Sequence, residues 1–156
     1  MSAGSSASMT SITEGASITS VRGCRIIELP KFGDARGAVS IVEPPKQISF
    51  AIQRVYYLYD VPAGQQRGAH AHRALEQLLI AVAGSFTIAL DDGVTRVDHE
   101  LTGPHRGLYL PPLVWHELRD FSPGAVCLAL ASAPFDEADY YRDYASFLDA
   151  AKQAPR

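Results

Sequence analysis

The chain sets short apolar runs between clusters of Gly, Pro, Asp and Ser, and for most of its length shows no helical repeat of apolar positions. β-Branched and aromatic runs fall at 24–29, 38–42, 50–59, 77–82, 86–90, 107–110, 114–119 and 125–131, with a more polar return strand at 94–101. Turn residues separate them: 31–37 reads as a turn, Pro44-Pro45 breaks the second strand, and Asp91-Asp92-Gly93 is the strongest hairpin signal, because Asp-Gly supplies the positive φ of a tight turn. The pattern changes at Asp136. The stretch 136–152 predicts a helix, with acidic residues in its first turn, where the macrodipole favours them, and with Tyr140, Tyr144, Phe147 and Leu148 on one face. About nine or ten short strands followed by one helix predict an all-β fold, a sandwich or jelly-roll barrel with a C-terminal helix as its cap.

The first 20 residues are rich in Ser, Ala, Gly and Thr and carry one charge, Glu14. They predict a flexible tail, residues 1–20, ahead of a single domain over 21–152. A length of 156 residues with 47% hydrophobic content suits one domain with a substantial core. The formal charge of −3 argues against a nucleic-acid groove. The two cysteines, Cys24 and Cys127, are too few for a disulfide framework and read as reduced, buried thiols. No apolar run approaches the roughly 20 residues of a membrane span, and the first 20 residues lack the basic start and apolar middle of a signal peptide, so the expected compartment is the cytoplasm. With no βαβ alternation, GxGxxG or Walker loop, a nucleotide-hydrolysing α/β fold is disfavoured.

The candidate chemistry lies in the stretch from Gly64 to Gly84. His70 and His72 are two residues apart, so in a strand they share one face, roughly 7 Å apart. Two imidazoles at the mouth of a β-structure suit either metal binding or proton transfer near neutral pH. Arg36, Arg54 and Arg67 flank the expected barrel mouth, where guanidinium forks suit phosphate oxygens. Of Tyr56 and Tyr57, alternation sends one inward and the other outward. His116 shares a strand face with Val114 and Leu118, opposite Trp115. His99 and His105 lie in polar segments and read as structural.

Gly64-x5-His70-x-His72-x4-Gln77-x6-Gly84 is similar to the first cupin motif, and Pro111-x-Leu113-x2-His116 resembles the second. Cupins are double-stranded β-helices of the jelly-roll type, in agreement with the strand count. Where the first motif expects a metal-binding glutamate the chain has Gln77, and where the second expects glycine it has Leu113. A metal here would have three histidines and a neutral amide in place of an anionic ligand. On these residues three readings stand: a metal-free acid–base pair, a metal-dependent cupin enzyme using His70, His72 and His116, and a non-catalytic module that binds a small ligand, which the resemblance given next would make a sugar-nucleotide binding module.

A narrower resemblance rests on Asp34-Ala35-Arg36-Gly37, Arg54-Val55-Tyr56-Tyr57, Arg67-Gly68-Ala69-His70-Ala71-His72, Val114-Trp115-His116-Glu117, Leu130-Ala131-Ser132 and Asp136-Glu137-Ala138-Asp139-Tyr140. Together these resemble the dTDP-4-keto-6-deoxyglucose 3,4-ketoisomerases, WxcM-like cupins. The resemblance implies a sugar-nucleotide isomerase of deoxysugar biosynthesis that works without metal or other cofactor. It would convert dTDP-4-keto-6-deoxyglucose to a dTDP-3-keto-6-deoxyhexose through an enediol or enediolate. For that reaction we assign His72 as the main base for the C3 proton and His70 as its partner acid or proton relay. Arg36, Arg54, Arg67, Tyr57, Gln77 and His116 then form the substrate-binding set, with Tyr57 in the cavity wall. It also implies a homodimer, formed by exchange of N-terminal strands for which 26–29 is the candidate.

Overall fold

The computed structural model describes residues 20–156, so the expected tail lies, but for Ser20, outside the described residues. Two five-stranded antiparallel sheets face one another. Chain order assigns β1 to Arg25–Glu28, β2 to Lys31–Asp34, β3 to Gly37–Ser40, β4 to Arg54–Leu58, β5 to Arg67–His72 and β6 to Gln77–Ala83. There follow β7 at Ser85–Asp91, β8 at Arg96–Thr102, β9 at Arg106–Leu110, β10 at Trp115–Arg119, β11 at Val126–Ala131 and β12 at Tyr140–Tyr141, and then helix α1 at Tyr144–Gln153. One sheet runs β1-β9-β6-β11-β4 and the other β12-β5-β10-β7-β8, while among the described residues β2 and β3 pair only with each other. The jelly roll expected from strand count is thus the observed architecture.

Strand alternation explains the packing. The inner faces contribute Leu79, Leu108 and Ala129 from one sheet and Phe86, Ile88, Leu90 and Leu118 from the other to a common core. β6 reads as an uninterrupted apolar run because both its faces are covered: Leu79 and Ala81 face that core, while Leu78 and Ile80 join Ile48, Phe50 and Leu130 in a second cluster. The segment before β4 supplies Ile48 and Phe50 to this cluster, so the strand expected over 50–59 narrows to Arg54–Leu58. On the far side of the barrel Phe147 and Ala151 of α1 pack on Ala71 and Trp115. The Asp91-Asp92-Gly93 hairpin forms as expected, with Asp91 opposite Arg96. Asp92 Oδ1 accepts the N–H groups of Val94 and Thr95. Cys24 and Cys127 are free and buried. Among the described residues no helix is long and apolar enough to cross a membrane.

Two expectations change. The stretch 31–37 is not simply a turn: Lys31–Asp34 pairs with Gly37–Ser40 in a hairpin whose strands are exposed throughout, Phe32 and Val39 included. The helix expected over 136–152 begins only at Tyr144. Asp136 caps a 3-10 turn at Glu137–Asp139, and Tyr140 and Tyr141 leave it as β12, pairing with His72 and Ala71. Asp143 then caps the helix through the Ser146 N–H. Helical periodicity alone could not reveal that the open edge of β5 takes two aromatic residues as a strand partner.

One irregularity sets the position of the site. Against β10, His70 lies opposite His116, Gly68 opposite Glu117 and Arg67 opposite Leu118, so Ala69 is an extra residue in β5. Ala69 has φ 65° and Gly68 φ 92°. Because His116 and Leu118 share the inner face, the bulge places Arg67 on the same face as His70, three residues apart, where unbroken alternation would send it outward. A Cβ at Gly68 would meet the His116 carbonyl oxygen at 3.0 Å. Gly68→Ala is therefore expected to cost about 1–3 kcal/mol of stability, read as a lower midpoint in thermal unfolding.

Candidate active site

The bulged end of β5 and the start of β10 open onto a cavity of about 430 Å³ between the sheets. β4 turns Arg54, Tyr56 and Leu58 into it, and Leu79 and Cys127 line its apolar part. Arg67, His70 and His116 come from the other sheet, and Tyr140 and Arg142 from the C-terminal segment. Burial pushes the Cys127 thiol up to about 12, so it enters the cavity as an uncharged group rather than a nucleophile.

Three imidazoles form the centre. The His70 ring lies 5.0 Å from that of His72 and 4.7 Å from that of His116, centroid to centroid, in edge-to-face arrangements. His70 and His116 line the main cavity. His72, 4% exposed, instead lines a smaller cavity of about 210 Å³ with Asp139, and Arg54 and Tyr140 border both. The Tyr140 ring packs 4.9 Å from His70 and 4.5 Å from His72. His116 Nδ1 is 3.0 Å from the Val114 carbonyl; a carbonyl only accepts, so Nδ1–H donates and Nε2 is bare.

Burial keeps all three rings neutral. The pKa of His70 falls to about 4 through burial and then through the nearby His72 and Arg142. That of His72 also falls to about 4, through burial and His116, with Asp139 pulling the other way. His116 drops to about 3 through burial and the neighbouring His70. The cluster at neutral pH is thus three uncharged imidazoles ringed by guanidinium groups, able to accept protons without first losing any.

The three histidines offer nitrogen atoms within 4.8 Å of one another, close enough to suggest three ligands of a metal ion. The fourth position does not fit. Gln77 is 1% exposed, and its Oε1 already accepts the Tyr56 O–H. The amide nitrogen that remains is a donor, buried with no hydrogen-bond partner among the described residues, where a metal requires a lone pair. The two-histidine, carboxylate and histidine set of a cupin metal centre is therefore incomplete here.

The other expected site residues separate into two groups. Arg54 and Arg67 line the cavity. Arg54 lies 5.2 Å from the Tyr56 ring centroid and has a buried Nε without a hydrogen-bond partner among the described residues. Tyr57 does not line the cavity. β4 alternation puts Tyr56 inside, and Tyr57, 59% exposed, stacks on Tyr59 at 5.8 Å on the outer face. Arg36 is also outside: it sits on the exposed β2–β3 hairpin, paired with Asp34 at 2.6 Å. Asp139, Tyr140 and Arg142 were missed as site residues because their stretch reads as helix. Arg142 is clamped by Glu137 at 2.5 and 2.8 Å and lies 4.1 Å from the Tyr140 ring centroid. The Asp136-Glu137-Ala138-Asp139-Tyr140 segment did carry a signal, since it belongs to the resemblance drawn from sequence.

Known proteins share this arrangement of chain. The family described as FdtA, WxcM-like, C-terminal, matches residues 22–152. A TDP-4-oxo-6-deoxy-alpha-D-glucose-3,4-oxoisomerase from Aneurinibacillus thermoaerophilus is 44% identical over 123 residues, which cover 79% of this chain and 88% of that protein. A mutant of the 3,4-ketoisomerase QdtA from Thermoanaerobacterium thermosaccharolyticum, in complex with TDP-4-keto-6-deoxyglucose, superposes with a TM-score of 0.84 at 38% identity, covering 85% of this chain and 96% of that one. The TDP-quinovose 3,4-ketoisomerase WlaRB from Campylobacter jejuni does so with a TM-score of 0.80 at 42% identity, covering 83% and 99%. The cupin jelly roll, the incomplete metal set and these matches along nearly the whole described chain lead to one conclusion: the chain belongs to the FdtA, WxcM-like family.

Proposed function

We propose that this chain is a sugar-nucleotide 3,4-ketoisomerase, which converts dTDP-4-keto-6-deoxyglucose to a dTDP-3-keto-6-deoxyhexose in deoxysugar biosynthesis. Residues 21–152 act as one catalytic domain. The observation that carries this reading is the neutral His70 ring at the wall of a cavity bordered by Arg54, Arg67 and Arg142, with His116 beside it in the lining and His72 behind. The guanidiniums suit a diphosphate, and the neutral ring suits a proton on a sugar carbon. The names of the relatives support the substrate class.

The reaction is a proton rearrangement. The hydrogen on C3 is acidic because it is α to the C4 carbonyl. A base removes it, and the C–H electron pair becomes the C3–C4 double bond of an enediolate with charge on O4. O4 gains a proton, O3–H loses one, and C4 receives one, which leaves the ketone at C3. No electrons leave the substrate, so no redox cofactor takes part, and an acid–base device is sufficient. Of the two catalytic histidines, cavity lining favours His70 as the group against C3 and C4, with His72 as its proton partner. This reverses the order of roles assigned from the sequence. The donor character of Gln77 supports catalysis without metal.

We further propose a homodimer. The β2–β3 hairpin exposes Phe32 and Val39, and β4 and the residue after it expose Val55, Tyr57 and Tyr59. A second copy covering both surfaces would bury this apolar area, and Arg36 and Tyr57, absent from their own cavity, would then lie at the interface. β1, the strand considered for exchange, pairs with β9 of its own chain, and the exposed hairpin is the better candidate for reaching a partner. The free, buried thiols of Cys24 and Cys127 suit the cytoplasm.

Incubation with dTDP-4-keto-6-deoxyglucose in deuterated water, followed by NMR, tests the activity: a product with its ketone at C3 is expected, whereas bound nucleotide with an unchanged sugar identifies a binding module. His70→Asn and His72→Asn should each abolish turnover while retaining dTDP binding. The value of kcat/KM should hold across neutral pH and fall on acidification through about pH 4, because His70 is a competent base only above its lowered pKa; a fall centred near 6.5 would instead indicate an exposed histidine. Light scattering should give twice the chain mass, and Phe32→Glu should shift it toward monomer.

A further inference from the structure

The proton on His72 has a determinable position. Its Nδ1 lies 3.1 Å from Asp139 Oδ2, and the ring is 4% exposed. Asp139 is itself held firmly. Its Oδ1 accepts the Ala74 N–H at 2.8 Å, its Oδ2 accepts the Leu75 N–H at 3.3 Å, and its backbone carbonyl accepts the Arg73 N–H at 2.8 Å. The turn that leaves β5 is thus fastened to Asp139, and the next residue, Tyr140, continues the ladder opposite His72. A carboxylate offers lone pairs, so it accepts a hydrogen bond from His72 and the ring carries its hydrogen on Nδ1. Nε2 is left as the lone pair, and one ring nitrogen from each of His70, His72 and His116 lies within 4.8 Å of the others.

We propose that Asp139 is a positioning residue for the isomerisation, fixing His72 as its Nδ1–H tautomer and leaving Nε2 to take up and return a proton within the imidazole cluster. When Nε2 gains a proton, the imidazolium faces the Asp139 carboxylate. When Nε2 releases it, the original tautomer returns, so no ring flip is needed between turnovers. His116 reaches the same tautomer through the Val114 carbonyl, but a neutral carbonyl stabilises an imidazolium less than a carboxylate does. Asp139 thereby distinguishes His72 from His116 as the partner of His70. The kinetic part of this inference rests on the isomerase reading; the tautomer belongs to the resting protein.

The test is Asp139→Asn, which keeps the size of the side chain and an oxygen for the Ala74 N–H but offers Nδ1 an amide donor. Nitrogen-15 correlation spectra of the histidine rings should find His72 protonated on Nδ1 in the wild-type protein and moved toward Nε2–H in the variant. The value of kcat should fall on the order of 10²-fold, with KM for the sugar nucleotide little changed and the thermal midpoint close to wild type. A wild-type His72 protonated on Nε2 overturns the proposal, and this measurement decides alone if the variant does not fold. A tautomer that moves without loss of kcat overturns the positioning role. Wild-type protein that binds the sugar nucleotide but leaves its ketone at C4 would instead overturn the isomerase reading and leave the tautomer result standing.

Discussion

The site depends on one extra residue. Ala69 enters β5 against β10 without a partner of its own, and the register before and after it differs by one. On one side of the bulge His70 faces inward opposite His116; on the other, Arg67 does the same opposite Leu118. A regular strand would bring the histidines inward and send the guanidinium into solvent, or the reverse. The bulge therefore joins an imidazole and a guanidinium on the inner face of a single short strand. Gly68 permits it, having the positive φ and lacking the Cβ that would press on the His116 carbonyl.

Around that strand the barrel supplies a low dielectric. Three imidazoles packed together would repel one another if charged, and burial favours the same neutral form, so the two effects lower each pKa together. The carboxylate that a metal-binding cupin uses at the fourth position would counter both effects by attracting protons to the cluster. Gln77 avoids this: it keeps the shape and the hydrogen bond to Tyr56 and adds no charge. The same difference that leaves the metal set incomplete thus favours neutral imidazoles.

The C-terminal segment completes the site from outside the barrel's strand sequence. β12 is only two residues long, yet it brings Asp139, Tyr140 and Arg142 to the two central histidines and the cavity. Its neighbour α1 packs Phe147 against Trp115, whose strand also carries His116. The helix thus anchors the segment to the back of β10, while β12 approaches from the edge of β5. Packing on one face of the sheet in this way holds chemistry on the other.

Much of this was legible from residue order. Alternation of apolar residues, punctuated by Gly, Pro and Asp, determined the all-β class and most strands, since a strand's faces are set by a period of two whatever the fold around it. The spacing of His70 and His72 determined that they share a face, and Gln77 stands in the sequence where a metal-binding cupin has glutamate. Only the tertiary structure decided the rest. Whether Tyr56 or Tyr57 points inward depends on which face of β4 meets the core, and alternation leaves that choice open. A cut of 136–141 out of a helical pattern depends on the vacant edge of β5, which is far away in sequence. The bulge at Ala69 depends on pairing with β10, more than forty residues on. In each case the deciding partner is distant along the chain, and local propensity carries no information about it.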